Sequence, residues 1–389
     1  MRKDFFVRGV AEIIEEKSLK DKLKSGKTLR IKMGVDPTRP DLHLGHTVAI
    51  RKLREFQEAG HKVIFLIGDF TAKVGDPSGK NKTRPMLDDQ DILRNAQTYL
   101  DQVGKILDIE KTELRRNSEW YSKMDFNDIL QVAAKFTVAQ ILERDDFEKR
   151  LKGGSDIGMH ELLYPIMQAY DSVMLEADVE MGGTDQKFNM LAGRSLQKKM
   201  GQAPQDVMTM KLLVGLDGKE KMSKSLDNYV SITEEPSLQF GKIMSIPDNL
   251  IIEYFDLCTD IPKTTVAKYQ SEMENGANPR DYKEKLALEI VKMYHGSESA
   301  KEAKESFVRQ FREKELPEDM PEVKLEGRYK LPLLLISLGA VGSNSEARRL
   351  IEQGGVRVDG AKLEDPNSIV SVYGGMVVQV GKRRFYKIK

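Results

Sequence analysis

The chain has 389 residues, 32% of them charged, with 62 Lys/Arg against 61 Asp/Glu and a formal net charge of +1. That length predicts two or three domains with a large core, and the near-neutral balance shows no overall bias toward nucleic acid. Cys258 is the only cysteine, which excludes an intrachain disulfide framework. Residues 1–10 lack the apolar run of a signal peptide, and the longest apolar stretch, 331–341, is too short to span a bilayer and contains Pro332. The expectation is a soluble cytoplasmic protein with no membrane partner.

Residues 4–25 read as one or two amphipathic helices, with Phe5, Phe6, Val10, Ile13 and Ile14 as the buried side. Residues 28–35 place Ile31, Met33 and Val35 on one side, the period of a strand, and Leu44, Val48, Leu53 and Phe56 then fall near the period of a helix that Gly60 can close. His43 and His46 therefore sit at a strand-to-helix turn, on one face of the first helical turn. Unpaired N–H groups and the positive end of the helix dipole favour an anion there, and Gly45 lets the backbone approach it. Taken alone, the two imidazoles are equally readable as surface caps or a metal pair. Zinc needs three or four ligands, however, and five histidines with one cysteine offer no such set. No metal site is expected.

Residues 61–69 form a second, more buried strand, so strand, helix and strand imply a parallel pair with a right-handed crossover. No G-x-G-x-x-G or G-x-x-x-x-G-K-[ST] follows, which disfavours dinucleotide and P-loop sites. Asp76-Pro77-Ser78-Gly79 is an ordinary turn signal, but it lies beyond the carboxyl end of a parallel strand, where open α/β sheets bind ligands. Lys80 and Arg84 are then candidates to face phosphates. Residues 91–107 read as a helix, 114–120 as a strand, and 127–152 as charged helix broken at Gly153-Gly154.

In the helix over 159–171, Tyr164, Gln168 and Asp171 lie at i, i+4 and i+7, so one face presents a phenol, an amide and a carboxylate. Burial against satisfying neighbours is the competing reading. A strand over 177–181 runs into Gly182-Gly183-Thr184-Asp185-Gln186 and a helix ending at Met200, a junction suited to a ribose and a substrate carboxylate. Residues 206–213 read as the last strand before Lys221-Met222-Ser223-Lys224-Ser225, whose two lysines would ordinarily be solvated. Helical segments follow near 234–245, 248–257, 263–275, 279–295 and 297–313, then a stretch rich in Pro and Glu. From 330 to 389 the chain carries ten Lys/Arg against five Asp/Glu, a basic tail that points to RNA.

H-L-G-H at 43–46 with K-M-S-K-S at 221–225 resembles the two signatures of class I aminoacyl-tRNA synthetases. With Y-x-x-x-Q-x-x-D at 164–171, G-G-T-D-Q at 182–186 and G-D-P-S-G at 75–79, the chain resembles bacterial tyrosyl-tRNA synthetases over essentially its whole length, in the subgroup with K-M-S-K-S. The tail, with S-E-A-R-R-L-I and G-G-V-R-V-D-G, is similar to the S-four-type RNA-binding domain. The resemblance implies an α/β catalytic domain with a Rossmann-like doubly wound parallel sheet over 1–230. A helical domain over 231–316 that helps dock the anticodon side of tRNA, a linker over 317–330 and a small α+β RNA-binding domain over 331–389 would follow.

The implied reaction is activation of L-tyrosine by ATP, as its Mg2+ complex and with no tightly bound cofactor, then transfer to tRNA(Tyr). Carboxylate is already an adequate nucleophile, so this step needs positioning and charge stabilisation rather than a general base. The resemblance assigns His43, His46 and Thr38 to the ATP phosphates, and Lys221, Lys224, Lys80 and Arg84 to a pyrophosphate clamp. Asp36, Gly45, Met222, and Gly183 and Asp185 on the ribose, complete the ATP site. Asp76, Tyr164 and Gln168 would hold the α-ammonium of tyrosine, Gln186 would lie near its carboxyl end, and Asp171 would accept the phenolic proton. Arg348, Arg349, Arg357, Lys382, Arg383 and Arg384 are the RNA-binding candidates, and family members are homodimers through the catalytic domain. One departure stands out: better-studied members carry a tyrosine that also touches the phenol where this chain has Lys32, and often a cysteine where it has Met33. Tryptophanyl-tRNA synthetases share both signatures and are the nearest rival; a non-catalytic RNA-binding relative is the rival from another class.

Overall fold

The computed structural model describes residues 5–37, 41–77, 89–312, 320–381 and 384–389. They form two compact units, Met1–Lys304 and Glu305–Lys389. The first is built on a sheet of β1 (Val10–Ile14), β2 (Arg30–Val35), β3 (Lys62–Ile67), β4 (Glu113–Arg116), β5 (Val179–Gly183) and β6 (Asp206–Met210), in the order β1-β6-β5-β2-β3-β4. All pairs are parallel except β1 with β6. From β2 the chain builds outward through β3 to β4, then returns to the other side of β2 with β5. The strand order therefore reverses between β2 and β5, and the carboxyl ends of those two strands flank the crevice where such sheets bind ligands. Ile31, Val63, Phe65, Val179 and Met208 are buried, as expected for strands covered on both faces.

Three local expectations are corrected. Residues 10–14 are a strand, not helix: Gly9 and Glu15 have φ of +68° and +64°, and between them Val10, Ile13 and Ile14 pair with Met210, Met208 and Val207. Pairing with a sheet edge outweighs amphipathic periodicity over so short a run. The strand expected over 114–120 stops at Arg116, because the Asn117 side chain accepts from Phe70 N–H at 2.8 Å and a helical turn, Ser118–Tyr121, begins. Part of the Pro/Glu-rich stretch read as linker is sheet: β7 (Glu322–Val323) pairs with Lys387 and Ile388, and β8 (Gly327–Lys330) with residues 369–372.

Helices Pro236–Met244, Ile251–Cys258, Lys263–Glu274 and Pro279–His295 follow the expected segments and pack into the first unit. Arg8 donates to the carbonyls of Phe255, Asp256 and Thr259, and the Tyr254 hydroxyl to Val214 O at 2.6 Å. In the second unit, β9 (Val356–Val358), β10 (Ala361–Lys362), β12 (Val377–Val380), β13 (Arg384–Ile388) and β7 form one sheet, and β11 (Ile369–Val372) pairs with β8. Leu331, Leu334 and Leu335 pack with Ile351, Val356, Val378 and Ile388 in its core. No helix among the described residues is long and apolar enough to cross a membrane.

Candidate active site

β2 delivers the chain to the His43/His46 turn. His43 has extended backbone (φ −125°, ψ 168°) and caps helix Leu44–Glu58. Its Nδ1 accepts from Gly45 N–H, and His46 Nδ1 accepts from His43 N–H, both at 3.2 Å. Because each Nδ1 accepts, each neutral ring carries its proton on Nε2. Burial, reinforced by His46, Lys224 and Lys221, holds His43 well below the usual imidazole range. Burial and Lys224 likewise push His46 down to about 3. The turn thus offers two neutral donors beside a helix N-terminus, suited to phosphate oxygens and unable to act as bases once protonated on Nε2.

The lysine loop reaches this turn through backbone pairing. Leu44 N–H donates to Val230 O at 3.0 Å and Ile232 N–H to Leu42 O at 3.2 Å, so His43 and Ser231 form an antiparallel bridge. The loop itself is a small hairpin: Gly215 N–H donates to Glu220 O and Met222 N–H to Leu213 O. Asp217 Oδ1 accepts from the N–H groups of Lys219 and Glu220 around Gly218, whose φ is +71°. Lys221 Nζ pairs with Asp185 Oδ2 at 2.6 Å, and Lys224 Nζ stands over the Tyr99 ring at 5.6 Å.

The other end of the site lies between β2 and helix Met159–Met174. Tyr164 OH donates to Asp36 Oδ2 and Thr71 Oγ1 to Asp36 Oδ1, both at 2.8 Å. Asp171 accepts from Trp120 Nε1 at 3.0 Å and Asn117 Nδ2 at 3.3 Å. Asp76 accepts from Gln186 Nε2 at 2.7 Å and from the buried Arg144 guanidinium at 3.4 Å. Asn189 Nδ2 links Gln168 Oε1 and Gln186 Oε1 at 2.9 and 3.0 Å. Burial, with Asp76 next in effect, raises Asp36 to about 7. Burial raises Asp171 to about 7 against the opposing charge of Lys32.

One cavity of about 390 Å³ is lined by both ends. His43, Gly45, His46, Lys221, Met222, Gly183 and Asp185 line the side with the histidine turn and lysine loop, and Asp36, Asp76, Tyr164, Gln168, Asp171 and Gln186 the side along helix Met159–Met174. Gly34 is an exposed strand residue in that wall. A side chain at Gly183 would stand 2.6 Å from Asp185 Oδ1. Thr38, Lys80 and Arg84 lie outside the described residues, as do Lys382 and Arg383. Arg348, Arg349, Arg357 and Arg384 are exposed on the second unit. Among the described residues no cluster of three His, Cys, Asp or Glu side chains is arranged to hold a metal.

Sequence reasoning did not find Thr71, Asn117, Trp120, Arg144 or Asn189. Trp120, the lone tryptophan, carried a weak signal, but the others are common polar residues whose significance comes from what they meet. Lys32 is wholly buried and paired with Glu180 at 2.8 Å, a pairing the sequence reading did not make.

The family described as tRNA synthetases class I (W and Y) matches residues 24–312, and the S4 domain matches residues 331–378. The tyrosine–tRNA ligase of Thermotoga maritima is 53% identical over 382 residues, covering 98% of this chain and 95% of that one. The tyrosine–tRNA ligase of Mannheimia succiniciproducens is 52% identical over 381 residues, covering 98% and 96%. The fold is shared with a C-terminally truncated mitochondrial tyrosyl-tRNA synthetase from Aspergillus nidulans, at a TM-score of 0.66 and 23% identity over 80% of this chain and 95% of that one. A parallel sheet with its crevice between β2 and β5, the paired signatures around one cavity and near-full-length identity above half converge: the chain belongs to the tyrosine–tRNA ligases of the class I tRNA synthetases.

Proposed function

We propose that the chain joins L-tyrosine to tRNA(Tyr) in two steps, using ATP as its Mg2+ complex. The tyrosine carboxylate attacks the α-phosphorus, the bond to pyrophosphate breaks, and the tyrosyl group then passes from the adenylate to the terminal ribose of tRNA. The chief support is that a single cavity is lined by His43, His46, Lys221 and Asp171. The Nε2–H groups of the two neutral histidines donate to phosphate oxygens as negative charge builds on the leaving pyrophosphate. Lys221 and Lys224 neutralise it, and such fixed donors are worth most where charge develops. Thr38, Lys80 and Arg84 join them on the family resemblance alone.

Asp36, expected at the ATP site but hydrogen-bonded to Tyr164, joins Asp76, Tyr164 and Gln168 around the α-ammonium, with Gln186 near the carboxyl end. Gly183 and Asp185 take the ribose, with Gly45 and Met222 against the nucleotide. Asp171, held by Trp120 and Asn117, accepts the substrate phenol. Such an acceptor is left unpaired by phenylalanine, and rejection of about 10⁴ to 10⁵ follows, a magnitude known from tyrosyl-tRNA synthetases themselves.

Residues 231–316 would help dock the anticodon side of the tRNA, and the basic tail would hold it through Arg348, Arg349, Arg357, Lys382, Arg383 and Arg384. A homodimer is supported by helix Phe126–Ala133, which has no buried residue although Phe126, Ile129 and Leu130 face outward, with Val138, Met159 and Leu163 also exposed. The cytoplasm, where charged tRNA is consumed, is the compartment that fits. ATP–pyrophosphate exchange run in parallel with tyrosine, tryptophan and phenylalanine tests the reading. Tyrosine-dependent exchange is expected; exchange with tryptophan alone, or none at all, overturns it.

A further inference from the structure

Lys32 and Glu180 are direct neighbours on the adjacent parallel strands β2 and β5, and neither is exposed by more than 1%. Lys32 Nζ donates to Glu180 Oε1 and Ser172 Oγ, both at 2.8 Å, and to Gln168 O at 3.1 Å. Lys32 lines the cavity, but an ammonium has three donors and no acceptor, and all three are committed to protein partners. Glu180 is equally engaged. It accepts from Gln168 Nε2 at 3.2 Å, Ser172 Oγ at 3.0 Å and the Gln205 amide. Both partners therefore grip helix Met159–Met174 at Gln168 and Ser172, the turn that also carries Asp171.

Such a pair is costly to bury and adds little net stability over an apolar substitute, so its presence in two central strands calls for another role. We propose that the Lys32–Glu180 ion pair is a positioning pair: it fixes Gln168 and Asp171 against the sheet and supplies the buried positive charge beside Asp171. Tyrosine recognition then depends on Lys32 without Lys32 donating a hydrogen bond to the substrate. This rests on the reading of the cavity as a tyrosine site. The other titratable groups around Asp171 are Tyr121 from helix Ser118–Tyr121, Tyr164 from its own helix and Asp36 after β2, with Asp76 acting on Asp36. Lys32 is the cation that opposes the effect of burial on Asp171.

The test uses the full chain, steady-state exchange kinetics with tyrosine and phenylalanine, and a pH series. Lys32→Met/Glu180→Gln removes both charges at near-constant volume. The expected result is a KM for tyrosine raised at least tenfold, a tyrosine-over-phenylalanine ratio lowered at least tenfold, and an unchanged KM for ATP. The acid limb of kcat/KM for tyrosine should move to higher pH, because Asp171 loses its nearby cation. Glu180→Gln alone keeps that cation, so it should raise the KM without moving the acid limb upward. Should the double variant fail to fold, Ser172→Ala breaks only the shared hydroxyl link; a three- to tenfold rise in the tyrosine KM at constant ATP KM is expected. Wild-type selectivity and acid limb in the folded double variant, or an unchanged tyrosine KM in Ser172→Ala, would overturn the proposal. Absence of tyrosine-dependent exchange in the wild-type chain would instead overturn the functional reading beneath it.

Discussion

Lys221 Nζ and Asp185 Oδ2 lie 2.6 Å apart, so a lysine of the second signature and the acid proposed for the ribose neutralise one another across the cavity. On the proposed reading, ATP binding would make both exchange partners. With side chains 40% and 25% exposed, the pair is screened and adds about 0–1 kcal/mol of stability. Lys221→Ala should leave the thermal midpoint nearly unchanged in calorimetry while slowing adenylate formation by roughly 10²–10³ in pyrophosphate exchange. A large loss of stability with intact exchange would contradict this assignment.

His46, pushed down to about 3, and His43, held well below the usual imidazole range, are expected to be neutral near pH 7. Neither should produce an inflection in kcat between pH 5 and 9. His46→Ala is expected to lower kcat by about 10²–10³ with little change in the KM for tyrosine. An acid limb that vanishes in this variant would show that His46 titrates.

Asp36 reaches about 7 because of burial and then Asp76. A carboxyl raised above its unfolded value near 3.8 favours the folded state fully below that value, and the contribution is lost as pH rises through about 7. Asp36→Asn should therefore stabilise the ligand-free protein at pH 8, on the order of 1–2 kcal/mol, with the gain fading by pH 4. Substrate ammonium favours the ionised form, so tyrosine binding releases a proton below pH 7. The KM for tyrosine should rise at least about fivefold between pH 7 and 6, and Asp36→Asn should make that rise shallower, leaving the part due to Asp171, while weakening binding.

Gly68 admits no side chain: a Cβ would stand 2.2 Å from Asp36 Oδ1 and 2.4 Å from Thr71 Oγ1. Gly68→Ala is expected to cost about 1–3 kcal/mol in denaturant unfolding and to displace Asp36. Its KM for tyrosine should rise more than its KM for ATP.

On the second unit, Arg348 and Arg349 are exposed on helix Asn344–Glu352. Replacing both with Ala should leave pyrophosphate exchange unchanged, weaken tRNA binding and lower the slope of log affinity against log salt by about one to two. Aminoacylation measured at two salt concentrations separates this from a folding defect.

The sequence by itself determined the chemistry available. Imidazoles at a strand-to-helix turn, lysines in a Gly-flanked loop and a phenol, amide and carboxylate on one helix face are all spaced by local periodicity. Backbone geometry over three to seven residues is enough to place them. It also marked the helices after residue 231 by their apolar period. What only the tertiary structure decided is everything that depends on register between distant strands. The β-strand at Val10–Ile14 exists because β6 offers an edge, and the two signatures meet because residues 42–44 pair with 230–232. Lys32 becomes a buried partner of Glu180, 148 residues away. Hydrogen bonds and charges act over a few ångströms, and only the folded sheet brings those groups within that reach.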